Sequence, residues 1–202
     1  SADSDHPASR AIVKAAREVR DARTGDPRLP DWIEVSDDTI TPDGEFGGRV
    51  TATWGSGDNA RTQTYDASLW RPTNLSQLRG KLSVAATTGG TPVVVRWDGK
   101  DRGVITLFDP AKEDAIEAVD TLESMGVETV MLSRDTYPVA RRFADFLGIS
   151  QVLAGIRSQE KPAAVRALHT QGGIVAMVGD SSVLPVLRVA DSGILYAGED
   201  LY

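Results

Sequence analysis

The sequence predicts two units in series: an α+β unit of short antiparallel strands, then an α/β unit with a partial parallel sheet and helices. Three observations carry this. Up to about residue 107, short β-like runs are separated by Gly, Pro, Asn and Asp clusters, among them Asp98-Gly99, a strong hairpin signal. Beyond Asp109-Pro110, apolar runs alternate with helical patterns, which argues for parallel strands joined by crossover helices. Two of those later runs, ending Val-Met-Leu and Ala-Met-Val-Gly, lead into Asp135 and Asp180. Ligands of open α/β sheets bind beyond the carboxyl ends of strands, so both aspartates stand where chemistry would take place.

Taken in order, Pro7 suits the first position of a helix over 8–21, with Ile12, Ala15 or Ala16, and Val19 on one face. Residues 24–31 are a loop by their Gly and Pro content. Trp32–Val35, Gly48–Trp54 and Thr62–Tyr65 read as strands, separated by Pro42-Asp43-Gly44 and Gly55–Asn59. A second helix is expected over 76–86, and Thr91–Trp97 with Gly103–Phe108 form the hairpin around Asp98-Gly99. Asp109 as cap and Pro110 at the first position start a helix with Ala115, Val119 and Leu122 inside and Gly126 as its stop. The next helix spans 138–147, with Val139, Phe143, Phe146 and Leu147 inward, before Gly148. Ser158 caps a last helix on which Val165 and Leu168 face in. The two units are therefore expected at 1–107 and 108–202.

Composition narrows the function classes. A chain of 202 residues, 41% hydrophobic and 25% charged, has enough material for a core without staples. Its net charge of −7 and the absence of a basic stripe argue against a nucleic-acid partner. There is no cysteine, which excludes disulfides, thiolate metal sites and cysteine nucleophiles. His6 and His169 are the two histidines and show no metal-ligand spacing. Gly179-Asp180-Ser181-Ser182 lacks the Gly-x-Ser-x-Gly of a serine nucleophile elbow. No apolar run approaches the ~18 residues that span a bilayer. Ser-Ala-Asp-Ser-Asp-His is not a signal peptide and starts beside a helix, so a piece of a longer chain is expected. Trp32, Trp54, Trp70 and Trp97 read as packing for small sheets, and Asp37-Asp38 and Glu113-Asp114 as surface charges.

Ser4-Asp5-His6-Pro7, the hairpin leading into Gly103–Asp109, Met125-Gly126 before Val130-Met131-Leu132, and Val175–Asp180 together resemble the cytosolic loop of heavy-metal-transporting P-type ATPases. The resemblance covers nearly the whole chain and keeps that family's motif order. It implies a nucleotide-binding domain inserted into a phosphorylation domain of haloacid-dehalogenase-like fold, on the cytoplasmic side of a membrane protein. His6-Pro7 then matches the pair whose histidine contacts the adenine of ATP, and Gly47 and Gly48 are candidates for the glycine-rich strand entry that nucleotide approaches. The plain alternative is a helix cap for His6 and a turn for the glycines. Ser133 and Asp135 match the ends of a Thr-Gly-Asp motif, and Lys161 the phosphate-site lysine. Asp180 matches the first aspartate of a Gly-Asp-Gly-x-Asn-Asp motif that serves Mg²⁺.

Several of the family's parts are altered. Its Asp-Lys-Thr-Gly-Thr nucleophile motif occurs nowhere in these residues, so it lies upstream or the parent lacks it. Asp43 and Glu45 stand where glycines belong and would repel a polyphosphate. Arg134 replaces a glycine beside the phosphate pocket, where its bulk fills space. After Asp180 come Ser181-Ser182-Val183-Leu184, and Val and Leu cannot ligate a hard cation. Asp191 is too distant in sequence to replace the lost ligand.

The expectation is a degenerate, catalytically inactive P-type-ATPase-like domain with a structural, regulatory or protein-binding role and no cofactor. Ser133, Asp135, Lys161 and Asp180 are vestigial on this reading, Asp180 as a former magnesium ligand. One alternative is a divergent metal-cation-transporting ATPase domain that uses ATP and Mg²⁺ and passes through an aspartyl-phosphate. Another is an ATP sensor using His6, Pro7, Gly47 and Gly48 without hydrolysis. The fold implied by the resemblance puts its nucleophile strand mid-sheet. The second unit therefore needs a substitute strand, a rearranged order, or a strand from a partner, whether the remainder of a membrane-embedded parent or a second copy.

Overall fold

In the computed structural model, residues 6–41 and 45–196 are described. Ser4-Asp5 and Pro42-Asp43-Gly44 lie outside them. The chain divides into two compact units, Ser1–Lys112 and Glu113–Tyr202, a few residues past the boundary expected at 107.

In the first unit, α1 (Pro7–Ala22) starts where Pro7 supplies a helical φ and His6 Nδ1 accepts the Ala8 N–H at 3.1 Å. Its apolar stripe is only partly covered, since Ile12 is half-buried but Ala15, Ala16 and Val19 are exposed. Strands β1 (Trp32–Ile40), β2 (Phe46–Trp54), β3 (Arg61–Trp70), β4 (Thr91–Trp97) and β5 (Lys100–Leu107) form an antiparallel sheet in chain order. The first three strands outrun the short segments expected. Pairs such as Ile40–Phe46, Phe46–Leu69 and Gly47–Ser68 continue the ladder beyond them. The register sends Ile33, Val35, Val50, Ala52 and Tyr65 to one face, and Glu34, Thr51 and Thr64 to the other.

The β4–β5 hairpin turns at Asp98 (φ 50°) and Gly99 (φ 70°), the pair of left-handed residues that a type I′ turn requires. The core packs Leu78, Ala86 and Val94 against Trp70, Leu75 and Val104. The helix expected over 76–86 is instead a 3-10 turn at Leu75–Gln77 and a short α2 (Lys81–Ala85). Gly80 between them, at φ 58° and ψ −132°, takes a conformation no right-handed helix can pass through. Trp32 is 68% exposed, against the packing role expected of it, because edge strand β1 is covered on neither face.

The second unit opens with α3 (Ala115–Ser124), which begins after Asp114 and not at Asp109-Pro110. The fixed φ of proline suits extended backbone as well as a first helical turn, so that pair does not locate the helix. At its end Gly126 donates to Glu123 O at 2.9 Å and Val127 to Leu122 O at 3.0 Å, the Schellman closure that a glycine permits. Then follow β6 (Val130–Leu132), α4 (Tyr137–Leu147), β7 (Gln151–Leu153), α5 (Lys161–Thr170), β8 (Ala176–Gly179), α6 (Leu184–Leu187) and β9 (Ser192–Leu195). Helix α4 buries Val139, Ala140, Ala144 and Leu147, while Phe146 is 61% exposed and Phe143 only partly covered. The helical repeat centres on Ala140, Ala144 and Leu147, which turns Phe146 about 100° away from the core. Helix α5 is capped at Glu160 and not at Ser158. The Glu160 carboxylate accepts the Arg157 N–H at 2.9 Å, closing a turn ahead of Pro162.

Strands β6 and β7 pair in parallel, as do β8 and β9, but β6 and β8 are not joined. Among the described residues, no substitute strand lies between them. Both pairs border one core of Val165, Val183, Val186 and Leu187, against which Leu132 and Met177 pack.

Candidate functional site

The residues matched to a phosphate site all lie at the carboxyl ends of the second unit's strands. The backbone knits the first group together. Beyond β6, the Ser133 N–H donates to Leu153 O at 2.9 Å, and Ser133 O accepts the Ile156 N–H at 3.0 Å. Asp135 O accepts the Gly155 N–H at 2.8 Å, and Ser133 Oγ accepts the Asp135 N–H at 3.1 Å. The hydroxyl that a phosphate site would need thus props its own loop. Ser133, Arg134 and Asp135 are half-buried, as is Lys161 at the start of α5, which follows β7. Next in the chain, Thr136 is fully buried at the start of α4, and its hydroxyl has no partner among the described residues.

Asp180 stands apart from that group, at the end of β8. Its Oδ1 accepts the Ser182 N–H at 2.8 Å and the Ser182 hydroxyl, capping the 3-10 turn Ser181–Val183. The preceding glycine has a packing reason: a Cβ on Gly179 would clash with Val183 Cγ2. Val183, three residues beyond Asp180, is buried in the core cluster. Among the described residues, no three His, Cys, Asp or Glu side chains converge to hold a metal ion.

In the first unit, His6 is exposed and uses Nδ1 as the α1 cap, with Pro7 as the first helical residue. An adenine would have to use its Nε2 or ring face. Gly47 and Gly48 lie within β2, where β1 passes close. A Cβ on Gly47 would meet Thr39 Oγ1 at 3.3 Å, and one on Gly48 would meet Val35 Cγ1 at 3.3 Å. These glycines face an irregularity of β1 between Ser36 and Thr39, where Asp37 takes φ 53°. Strand packing at both positions is close.

Three polar clusters escaped the sequence reading because their members are far apart in the chain. Asp101 Oδ1 accepts from Trp70 Nε1 at 2.9 Å and Arg96 Nε at 2.7 Å, and these bonds hold its carboxyl below the usual range, the Arg96 bond most. Glu123 accepts from the Thr129 hydroxyl and N–H and from the Ser150 hydroxyl, which lowers its pKa and ties α3 to the starts of β6 and β7. His169 sets Nδ1 3.2 Å from Asp191 Oδ2 and Nε2 3.2 Å from Val189 O. Asp191 also accepts the Val175 N–H at 2.8 Å. All three serve the fold.

The profile of the haloacid dehalogenase-like hydrolases matches residues 2–183, and the chain belongs to that family. Within it, this chain is similar to a copper-exporting P-type ATPase of Vibrio cholerae, 39% identical over 130 residues, covering 63% of this chain and 14% of that one. It is also similar to a probable copper-transporting ATPase of Arabidopsis thaliana, 31% identical over 205 residues, covering 98% of this chain and 19% of that one. The catalytic CPx-ATPase domain CopB-B shares the fold at a TM-score of 0.53 and 19% identity, over 96% of this chain and 63% of that domain. The chain spans only a minor part of the length of those curated relatives. No described helix is long and apolar enough to cross a membrane.

Proposed function

We propose that this chain is a cytosolic part of a membrane-embedded P-type-ATPase-like protein that has lost phosphoryl chemistry and serves a structural, regulatory or protein-binding role. The observation that carries this reading is the use made of Asp180. Its carboxylate caps the following turn, and the next residues are Ser181, Ser182 and the buried Val183, so oxygen ligands for Mg²⁺ do not gather there. The altered Ser133-Arg134-Asp135 loop, with its hydroxyl spent on the backbone, supports the same reading.

The deciding experiment is a titration of this chain with MgATP, followed by NMR at His6 and at the amides of Gly47–Val50. The expected result is no saturable shift into the millimolar range. Saturable shifts would replace the structural reading with a nucleotide-binding one. A second reading, an active metal-cation ATPase domain, is favoured by the retained Lys161 and by the names of the relatives. Mg²⁺-dependent phosphate release by the parent protein, abolished by Asp180→Ala, would establish it.

A further inference from the structure

We propose that the free edge of β1, from Trp32 to Ser36, is a docking site for an extended segment of a protein partner in which apolar and basic residues alternate. The proposal rests on the protein-binding role given above and names the partner's chemistry. Its physical basis is a difference among the tryptophans of the first unit's sheet. Trp54 has the Arg61 guanidinium over its ring at 5.8 Å, Trp70 has that of Arg96 at 5.0 Å, and Trp97 that of Arg102 at 5.0 Å. In each case the cation comes from the next strand: β3 for Trp54, β4 for Trp70 and β5 for Trp97. Trp32, 68% exposed, stands opposite Thr53 of β2 and has no cation over its ring among the described residues.

The edge beside Trp32 is open: β1 is the outermost strand, and its second side pairs with no strand among the described residues. Its two faces differ in chemistry. Ile33 and Val35, 55% and 58% exposed, stand on one face, and Trp32 with the exposed Glu34 on the other. A strand laid along this edge sets alternate side chains beside each face. Apolar residues then cover Ile33 and Val35, while basic residues reach the Glu34 carboxylate and the Trp32 ring. Charge favours the same partner at longer range. From Leu29 to Gly48 the sequence carries Asp31, Glu34, Asp37, Asp38, Asp43 and Glu45 and no lysine or arginine. The irregularity between Ser36 and Thr39, with Asp37 at φ 53°, ends the regular edge, so the docked segment is short.

A second copy of this chain fits poorly. Its β1 would set carboxylates against carboxylates, and an acidic edge repels itself while admitting a basic strand. Its other edge strand, β5, brings Asp101 between Lys100 and Arg102, and that arginine already lies over Trp97.

The test is an NMR titration of the 202-residue chain with a capped peptide of alternating valine and arginine, about seven residues long. Saturable shifts are expected at the Trp32–Ser36 amides and the Trp32 indole, with half-saturation on the order of 1 mM or below. They should weaken as salt is raised and be accompanied by slower amide exchange within Trp32–Ser36. Trp32→Ala and Glu34→Gln, both at exposed side chains, should each weaken binding about threefold. The same peptide with alternate amides N-methylated should not bind, because strand addition uses backbone donors. Equal binding of that peptide would reduce the site to charge attraction and overturn the proposal. Equal binding of a valine–glutamate peptide, shifts confined to other strands, or no shift at all would overturn it as well. Slow exchange at Trp32–Ser36 without peptide, following protein concentration and with a sedimenting dimer, would assign the edge to a second copy and overturn the partner named here. None of these readouts needs nucleotide, so MgATP binding would remove only the functional reading, and a silent peptide titration only this site.

Discussion

The carboxylate of Asp180 accepts two bonds from a single residue, the Ser182 N–H at 2.8 Å and the Ser182 hydroxyl. This makes it a cap, and caps and metal ligands respond differently to substitution. Asp180→Asn keeps the acceptor and should leave stability in urea unchanged within ~0.5 kcal/mol, whereas Asp180→Ala should lose about 0.5–2 kcal/mol. Stabilisation of the unsubstituted chain by millimolar Mg²⁺, absent in Asp180→Asn, would contradict this assignment.

Gly179 is expected to be intolerant for steric reasons. Gly179→Ala drives a methyl into Val183 Cγ2 in a packed cluster and should cost about 1–3 kcal/mol. Adding Val183→Ala should make the two effects clearly less than additive in a thermal-melt cycle. Additive losses would show that the glycine serves something other than Val183.

Thr136 tests the sign of a cap. A threonine that caps a helix costs about 1 kcal/mol on removal. Here the Thr136 side chain makes no cap bond and its hydroxyl is buried without a described partner. Thr136→Val should therefore be neutral or stabilising by up to ~1 kcal/mol, since it removes an unsatisfied buried group of nearly the same shape. A loss of 1 kcal/mol or more in chemical denaturation would reveal a bond to that hydroxyl.

The Asp101 carboxyl, bonded by Arg96 and Trp70, titrates below the ordinary value of 3.8 in the folded chain. A depressed folded pKa contributes stability that is complete above that ordinary value and is lost as pH falls through the folded one. Arg96 is 41% exposed on its side chain, so solvent screening limits the contribution to ~1 kcal/mol or less. Comparing unfolding of the chain and of Asp101→Asn from pH 7 down to pH 2, the difference should shrink below about pH 4. A difference constant with pH would exclude the ionic contribution.

Local signals in the sequence located much of the architecture. Pro7, Asp98-Gly99, Gly126 and Gly148 mark real boundaries because each acts through its own backbone conformation. Asp109-Pro110 and Ser158 were misleading because extended and turn backbone accept the same residues, and the helices start at Ala115 and Lys161. The break at Gly80 was hidden because glycine is compatible with many conformations, and its neighbours chose a left-handed one.

For the site, residue identity alone determined which chemical groups are present: Ser133, Asp135, Lys161 and Asp180, followed by Ser181, Ser182, Val183 and Leu184. Only the tertiary structure decided how those groups are used. The Ser133 hydroxyl holds its own loop, the Asp180 carboxylate caps a turn, and Gly47, Gly48 and Gly179 make room for neighbouring side chains. It also left β6 and β8 unjoined. A motif states which atoms are available. Whether a hydrogen bond or packed contact has already claimed them depends on residues that folding brings near, and pairing of strand edges is the least local of these choices.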